Sequence, residues 1–204
     1  MPPLTLHTPR LTLRRWQESD LVPFAAINQD PLVTEFTRPL SPQESQAFVQ
    51  KIERMFVDKG FGLFAVERKD TGEFIGFTGL WIPMFEAHFT PCVDIGWRLS
   101  SKHWGLGFTT EAAKECLRFA FQDLKLAEVL SFTVPQNIRS RRVMEKLGMV
   151  HNPDEDFDYP GIEDGHPLQK HVLYRKSFSF FDLSSEALAK EEGDLNPLKK
   201  TVVP

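Results

Sequence analysis

The chain has 204 residues, 41% of them hydrophobic and 25% charged, which is enough for one well-filled core. Its 24 Lys and Arg against 28 Asp and Glu leave a net charge of −4, so no global basic field recruits nucleic acid. The N-terminus carries no charged segment followed by an apolar core, no apolar run is long enough to span a bilayer, and the two cysteines, Cys92 and Cys116, form no Cys-x-x-Cys pair. These features predict a cytoplasmic protein in a reducing compartment, neither secreted nor membrane-embedded.

Residues 10–16 alternate apolar Leu11 and Leu13 with polar Thr12 and Arg14, a first strand. Ser19 offers an N-cap oxygen to a helix carrying Leu21, Phe24, Ala25 and Asn28, which Pro31 stops. Ser41-Pro42 starts a second helix with Phe48, Ile52, Met55 and Phe56 on one stripe, and Gly60 ends it. Residues 61–68 and 74–82 read as a hairpin around the turn Asp70-Thr71-Gly72-Glu73, with apolar side chains on both faces, so both faces should be covered. A loop over 84–91 precedes a strand at 92–99. A helix over 109–124 follows, with Ala113, Cys116, Leu117, Ala120 and Leu124 along one face. Residues 128–134 form a strand and 137–147 a short helix, its Val143 and Leu147 inward and Gly148 just beyond. An acidic loop at 154–164 leads to a last strand at 171–177, and 178–204 is a charged tail with a helical turn or two at 184–192. The order is strand, two helices, three strands, helix, strand, helix and one or two final strands, a mixed α/β fold.

Strand, turn and helix start meet at Gly105-Leu106-Gly107. Two glycines let the backbone curl, and a helix from about Thr109 turns unpaired N–H groups back into the curl, which makes an anion cradle. A nucleotide P-loop would need Lys followed by Ser or Thr after the second glycine, and none is there. A dinucleotide fingerprint would need a third glycine where Thr110 stands, and Glu128 matches its acidic residue only loosely. An ordinary strand-to-helix turn is the plain alternative.

Lys102, Gly105 and Gly107 occupy the places of a pattern of Gln or Arg, two residues, Gly, one residue, and Gly or Ala. The segment thereby resembles the acyl-CoA pyrophosphate loop of the GNAT N-acetyltransferase superfamily, with Lys102 departing from the commonest first residue. NIRSRRVMEKLGM at 137–149 resembles a second family segment, and WGLGFTTEA resembles the loop of the ribosomal-protein, RimJ/RimL-type branch. The likeness spans roughly residues 8–177, taken as a single domain that leaves the tail outside.

The resemblance implies an α/β (α+β) fold, a mostly antiparallel central sheet flanked by helices. Strands 92–99 and 128–134 would splay to admit acetyl-CoA as co-substrate. It also implies transfer to a primary amine, on a small molecule or a protein N-terminus, by direct attack in a ternary complex. Such a reaction needs an unprotonated nitrogen, a stabilised oxyanion and a proton for the departing thiolate. Asp94 stands where the family often carries Glu and is the general-base candidate; a structural carboxylate is its plain reading. Ser140 matches a family proton donor, and Asn137 a cofactor contact, though both could serve only as caps or local hydrogen bonds.

Cofactor contacts are expected from Lys102, Trp104, Gly105, Leu106, Gly107, Phe108, Thr109, Asn137 and Arg142. For Trp104 and Phe108 the alternative is packing beneath the loop, and for Arg142, as for Arg139, Arg141 and Lys146, a solvated basic face. Phe85, Glu86 and Phe89, in the loop before the central strand, are the substrate-contact candidates. The six histidines show no metal-ligand spacing, so no metal is expected. Dimerisation through the late strands or tail stays open. The competing functional class is a non-catalytic acyl-CoA-binding module on the same fold, supported by the carboxylate at Asp94 being one methylene shorter.

Overall fold

The structure, a computed structural model, describes residues 4–178. The helical turns expected at 184–192, and Phe180 and Phe181, lie outside the described residues. No helix among the described residues is long and apolar enough to cross a membrane.

The chain opens with a small hairpin of β1 (Leu6–His7) and β2 (Leu11–Arg14), the first of which periodicity over so few residues could not reveal. A 3-10 turn at Glu18–Asp20 then runs into α1 (Leu21–Gln29). The cap here is not Ser19. Asp20 accepts the Gln17 N–H at 2.8 Å and both ends of the Arg14 guanidinium at 2.7 and 2.9 Å. Its carboxylate is buried, and an ion pair to an arginine is what a buried charge requires. Helix α2 (Pro42–Lys59) starts as its sequence announces: the Ser41 hydroxyl accepts the Glu44 N–H, and the Glu44 carboxylate accepts the Ser41 N–H.

Strands β3 (Leu63–Arg68) and β4 (Phe74–Trp81) form the expected hairpin, buried on both sides. Successive residues of a strand face opposite ways. Phe77 packs on Phe24 and Phe48 of α1 and α2. Thr78 points to the other layer, where Cys116 belongs to α3 (Phe108–Arg118). Helix α3 does not run to 124 as a regular helix; after Arg118 it widens into one π turn, Phe119–Asp123. Phe119, Ala120 and Phe121 are all buried, and three successive inward side chains do not fit the one-sided period of a regular helix.

β5 (Asp94–Leu99) lies against β4, and β6 (Glu128–Thr133) follows α3. α4 (Ile138–Lys146) then leads to β7 (Val150–His151), β8 (Phe157–Asp158) and β9 (Lys170–Ser177). The sheet order is β1-β2-β3-β4-β5-β6-β9-β7, with β8 also on β9. Every pairing is antiparallel except β5 with β6. In α4 Met144 is buried, as is Leu147 at the C-cap, and Val143 packs partly buried against the core while also lining the opening between β5 and β6.

That opening positions the site. β5 and β6 share one ladder pair, Asp94 with Leu130, plus a bond from the Ser131 hydroxyl to the Ile95 carbonyl at 2.9 Å. Beyond it the two strands splay, and α3 and α4 start at the wide end.

Candidate active site

Gly105 and Gly107 both have positive φ, 76° and 81°, a backbone region that L side chains rarely adopt. A Cβ on Gly107 would sit 3.4 Å from Arg10 Nη2, whereas one on Gly105 would meet nothing within 4 Å. Gly107 is the N-cap of α3 and supplies no side chain; the first helical bond runs from Glu111 N–H to the Gly107 carbonyl at 3.0 Å. The N–H groups of Phe108, Thr109 and Thr110 therefore precede the first intrahelical partner, and the helix dipole adds positive potential there.

A brace holds this curl from behind. Arg10 Nε donates to Glu111 Oε2 at 2.6 Å, its Nη1 donates to the Leu106 carbonyl at 3.0 Å, and its guanidinium lies 4.5 Å over the Phe108 ring. Thr8 Oγ1 donates to Glu111 Oε1 at 2.6 Å. On the other side, Trp104 Nε1 donates to the Leu99 carbonyl at 2.9 Å and fixes the loop to the end of β5.

The cradle opens into a cleft of about 430 Å³ that follows the splay between β5 and β6. Among the expected site residues, Asp94, Trp104, Gly105, Gly107, Thr109, Asn137, Ser140 and Arg142 line it. Lys102, Leu106 and Phe108 do not: Lys102 is exposed on a 3-10 turn, Leu106 points outward, and Phe108 is buried beneath Arg10. Asn137 caps α4, its Oδ1 accepting the Ser140 N–H at 3.2 Å while its Nδ2 donates to Thr133 Oγ1 at 3.0 Å.

Phe85, Glu86 and Phe89 are also absent from the cleft wall. Glu86 is exposed, and Phe85 and Phe89 pack at 5.7 and 6.0 Å against Phe132, the residue that does line the cleft. They sit one layer behind it.

The far wall is one that sequence reading missed. Leu32, Val33, Phe36 and Thr37, between α1 and α2, line the cleft opposite α4. Arg139 pairs with Glu35 across the gap and lies 4.5 Å over Trp104. Arg98 reaches from β5 to Asn28 Oδ1 at 2.7 Å and to Thr37 Oγ1 at 3.3 Å, and burial lowers its pKa. A basic stretch in α4 was visible in the sequence; its partner 104 positions away was not.

At the narrow end lies Asp94. Its Oδ1 is sequestered from solvent with no hydrogen-bond partner in the structure. Desolvation disfavours the carboxylate and pushes the pKa up to about 7. The Tyr159 hydroxyl is raised by burial and by the charge of Asp94. A carboxyl poised near neutrality in a cleft is suited to accept a proton during a reaction. No group of His, Cys, Asp or Glu among the described residues could hold a metal ion.

The cradle, the bare helix start and the half-buried Asp94, whose Oδ1 is without a partner, fit a long anionic cofactor ending in a reacting acyl group. A sheet split beside such a helix start is the architecture of an acyl-CoA-dependent transferase. The model of the acetyltransferase (GNAT) domain matches residues 10–150, and the chain belongs to that family. Acetyl-CoA is the acyl donor of the fold, and the chain is an N-acetyltransferase of the GNAT type.

Among relatives, the chain is similar to the "FsC-acetyl coenzyme A-N(2)-transacetylase" of Aspergillus fumigatus, 34% identical over 173 residues, 79% of this chain and 73% of the relative. An acetyltransferase structure from Agrobacterium tumefaciens superposes with a TM-score of 0.70 at 26% identity, covering 87% of this chain and 96% of that one. Mycobacterium smegmatis RimJ in complex with CoA-disulfide shares the fold with a TM-score of 0.71 at 17% identity, covering 94% and 96% of the two chains.

Proposed function

We propose that the chain transfers the acetyl group of acetyl-CoA to a primary amine by direct attack in a ternary complex, with no acyl-enzyme. The observation that carries this reading is the continuity of the cleft from the bare α3 start, along the free edge of β5, to the half-buried Asp94. Acetyl-CoA supplies an activated thioester. The N–H groups of residues 108–110, with the curl at Gly105 and Gly107, receive the pyrophosphate; Lys102, Trp104, Leu106, Phe108 and Thr109 shape or support that curl. Arg142 on the α4 wall faces the phosphates.

Asp94 takes the proton of the attacking amine, directly or through water. A main-chain N–H of β5, free where pairing with β6 ends, faces the negative charge that develops on the thioester oxygen. Ser140, on the first turn of α4 and lining the same cleft, gives its hydroxyl proton to the departing sulfur. Asn137 acts chiefly by holding that turn in place. Residues 8–177 form the catalytic domain and 178–204 a tail, in a cytoplasmic protein.

The 34% identical relative is named for acetyl coenzyme A and an N(2) position, which supports transfer to nitrogen. Release of free thiol from acetyl-CoA against a panel of amines tests the reading. Amine-dependent release is expected; stoichiometric acetyl-CoA binding with no turnover on any amine would favour a non-catalytic binding module.

A further inference from the structure

The far wall of the cleft, Leu32, Val33, Phe36 and Thr37, belongs to no strand or helix. Its backbone bonds are local: the Val33 and Thr34 N–H groups donate to the Asp30 carbonyl, Thr37 to Thr34, and Leu40 to Asn28. None of these reaches the sheet. Side chains make the polar contacts with the rest of the site instead. The Ser101 hydroxyl donates to Asp30 Oδ2, and Glu35 pairs with Arg139. Arg98 differs from these, because it holds both ends of the segment. Its Nη1 donates to Asn28 Oδ1 at 2.7 Å and its Nη2 to Thr37 Oγ1 at 3.3 Å. A guanidinium can span the two because its donors stand in a fixed fork.

The two ends are anchored unequally. Asn28 is fully buried, and its Nδ2 donates to Ser45 Oγ of α2 at 2.9 Å, so that end belongs to the packed body. Thr37 is exposed and lines the cleft. Its neighbour Phe36 shares the Arg139 guanidinium with Trp104, at 6.0 and 4.5 Å, so the wall abuts the loop that carries the cradle. The charge of Arg98 is also unspent. Arg14 is neutralised by Asp20 and Glu67, whereas Arg98 bonds only neutral acceptors among the described residues. Burying a charge without a counter-ion costs stability, a cost that a device serving stability alone would avoid.

Resting on the acetyl-CoA reading above, we propose that Arg98 is a positioning residue, which through Thr37 holds the far wall at the distance from β5 that the coenzyme requires. It touches no reacting atom and acts through the wall.

The test measures acetyl-CoA affinity by calorimetry and stability by chemical denaturation, both on the full chain. Arg98→Lys still donates to the buried Asn28 but cannot also reach Thr37, and Thr37→Val removes the acceptor while keeping the shape. Each is expected to hold the wild-type denaturation midpoint and to weaken acetyl-CoA binding about three- to fivefold. The double variant should bind no more weakly than Arg98→Lys alone, because both changes remove the same bond. Wild-type affinity in either single variant overturns the inference, as do losses that add in the double variant. Affinity that falls only together with the denaturation midpoint also overturns it, since a merely structural tie would give that result. If the wild-type protein fails to bind acetyl-CoA, the reading on which the inference rests falls, and the inference with it.

Discussion

Along the edge it shares with β4, strand β5 pairs six residues in succession; along the edge facing β6 it pairs one. The first edge is closed so tightly that a Cβ on Gly76, whose φ is 134°, would stand 2.2 Å from the Arg98 carbonyl oxygen. The second edge forgoes several ladder bonds, each worth about 0.5–1.5 kcal/mol net. A sheet interrupted in its middle has backbone groups to offer a ligand that itself carries amides. One strand thus is closed on one side and, in the proposed reaction, recognises the cofactor on the other.

The comparison breaks most severely at the closed edge. Gly76→Ala is expected to destabilise the protein by about 3 kcal/mol or more, because the new methyl meets backbone that cannot move aside. Chemical denaturation would read this, and wild-type stability would mean the β4–β5 edge is looser than described.

At the vertex of the open edge, Asp94→Asn is expected to lower kcat by about 100-fold. The wild-type rate should rise with pH through about 7, where Asp94 loses its proton, and the variant should lack that inflection. Stability moves the other way. A carboxyl raised from 3.8 to about 7 by burial favours folding below the lower value, and that contribution is lost as pH rises through the upper one. Asp94→Asn should therefore be more stable than wild type at pH 8, by about 1–4 kcal/mol, with the difference vanishing below about pH 4. A variant less stable at pH 8 would show that the carboxylate has a partner.

The smallest effect is expected at the wide end. Arg10→Ala removes the brace behind the cradle without touching its concave face. It should raise the KM for acetyl-CoA about fivefold, equivalent to about 1 kcal/mol, with kcat nearly unchanged. Arg10→Lys should recover little, since one ammonium cannot bond Glu111 and the Leu106 carbonyl with the geometry of a guanidinium fork. An unchanged KM in Arg10→Ala would show that the curl holds itself.

What could be read from sequence was whatever local chemistry determines. The Ser41–Glu44 capping box, the β3–β4 turn and the glycines before α3 are written in neighbouring residues. The splay itself was expected only through family resemblance. Features set by distant contacts stayed hidden. The Asp20 carboxylate is held by Arg14 on the adjoining strand, the wall at 32–37 faces α4 across the Glu35–Arg139 pair, and the π turn answers to burial on two sides of Phe119–Phe121. Phe85 and Phe89 were singled out as aromatic and near the central strand, but Phe132, two residues beyond the Asp94 partner Leu130, took the place on the wall.

In the proposed reaction, main-chain N–H groups of the α3 start and of the open β5 edge are the acetyl-CoA ligands. Amide chemical-shift changes on titrating acetyl-CoA into the isotope-labelled protein test it most directly. Large shifts are predicted together at residues 108–110 and 96–99, with residues 63–68 of the closed hairpin little changed. Saturable binding that leaves both sets of amides unmoved would show that the cofactor binds elsewhere.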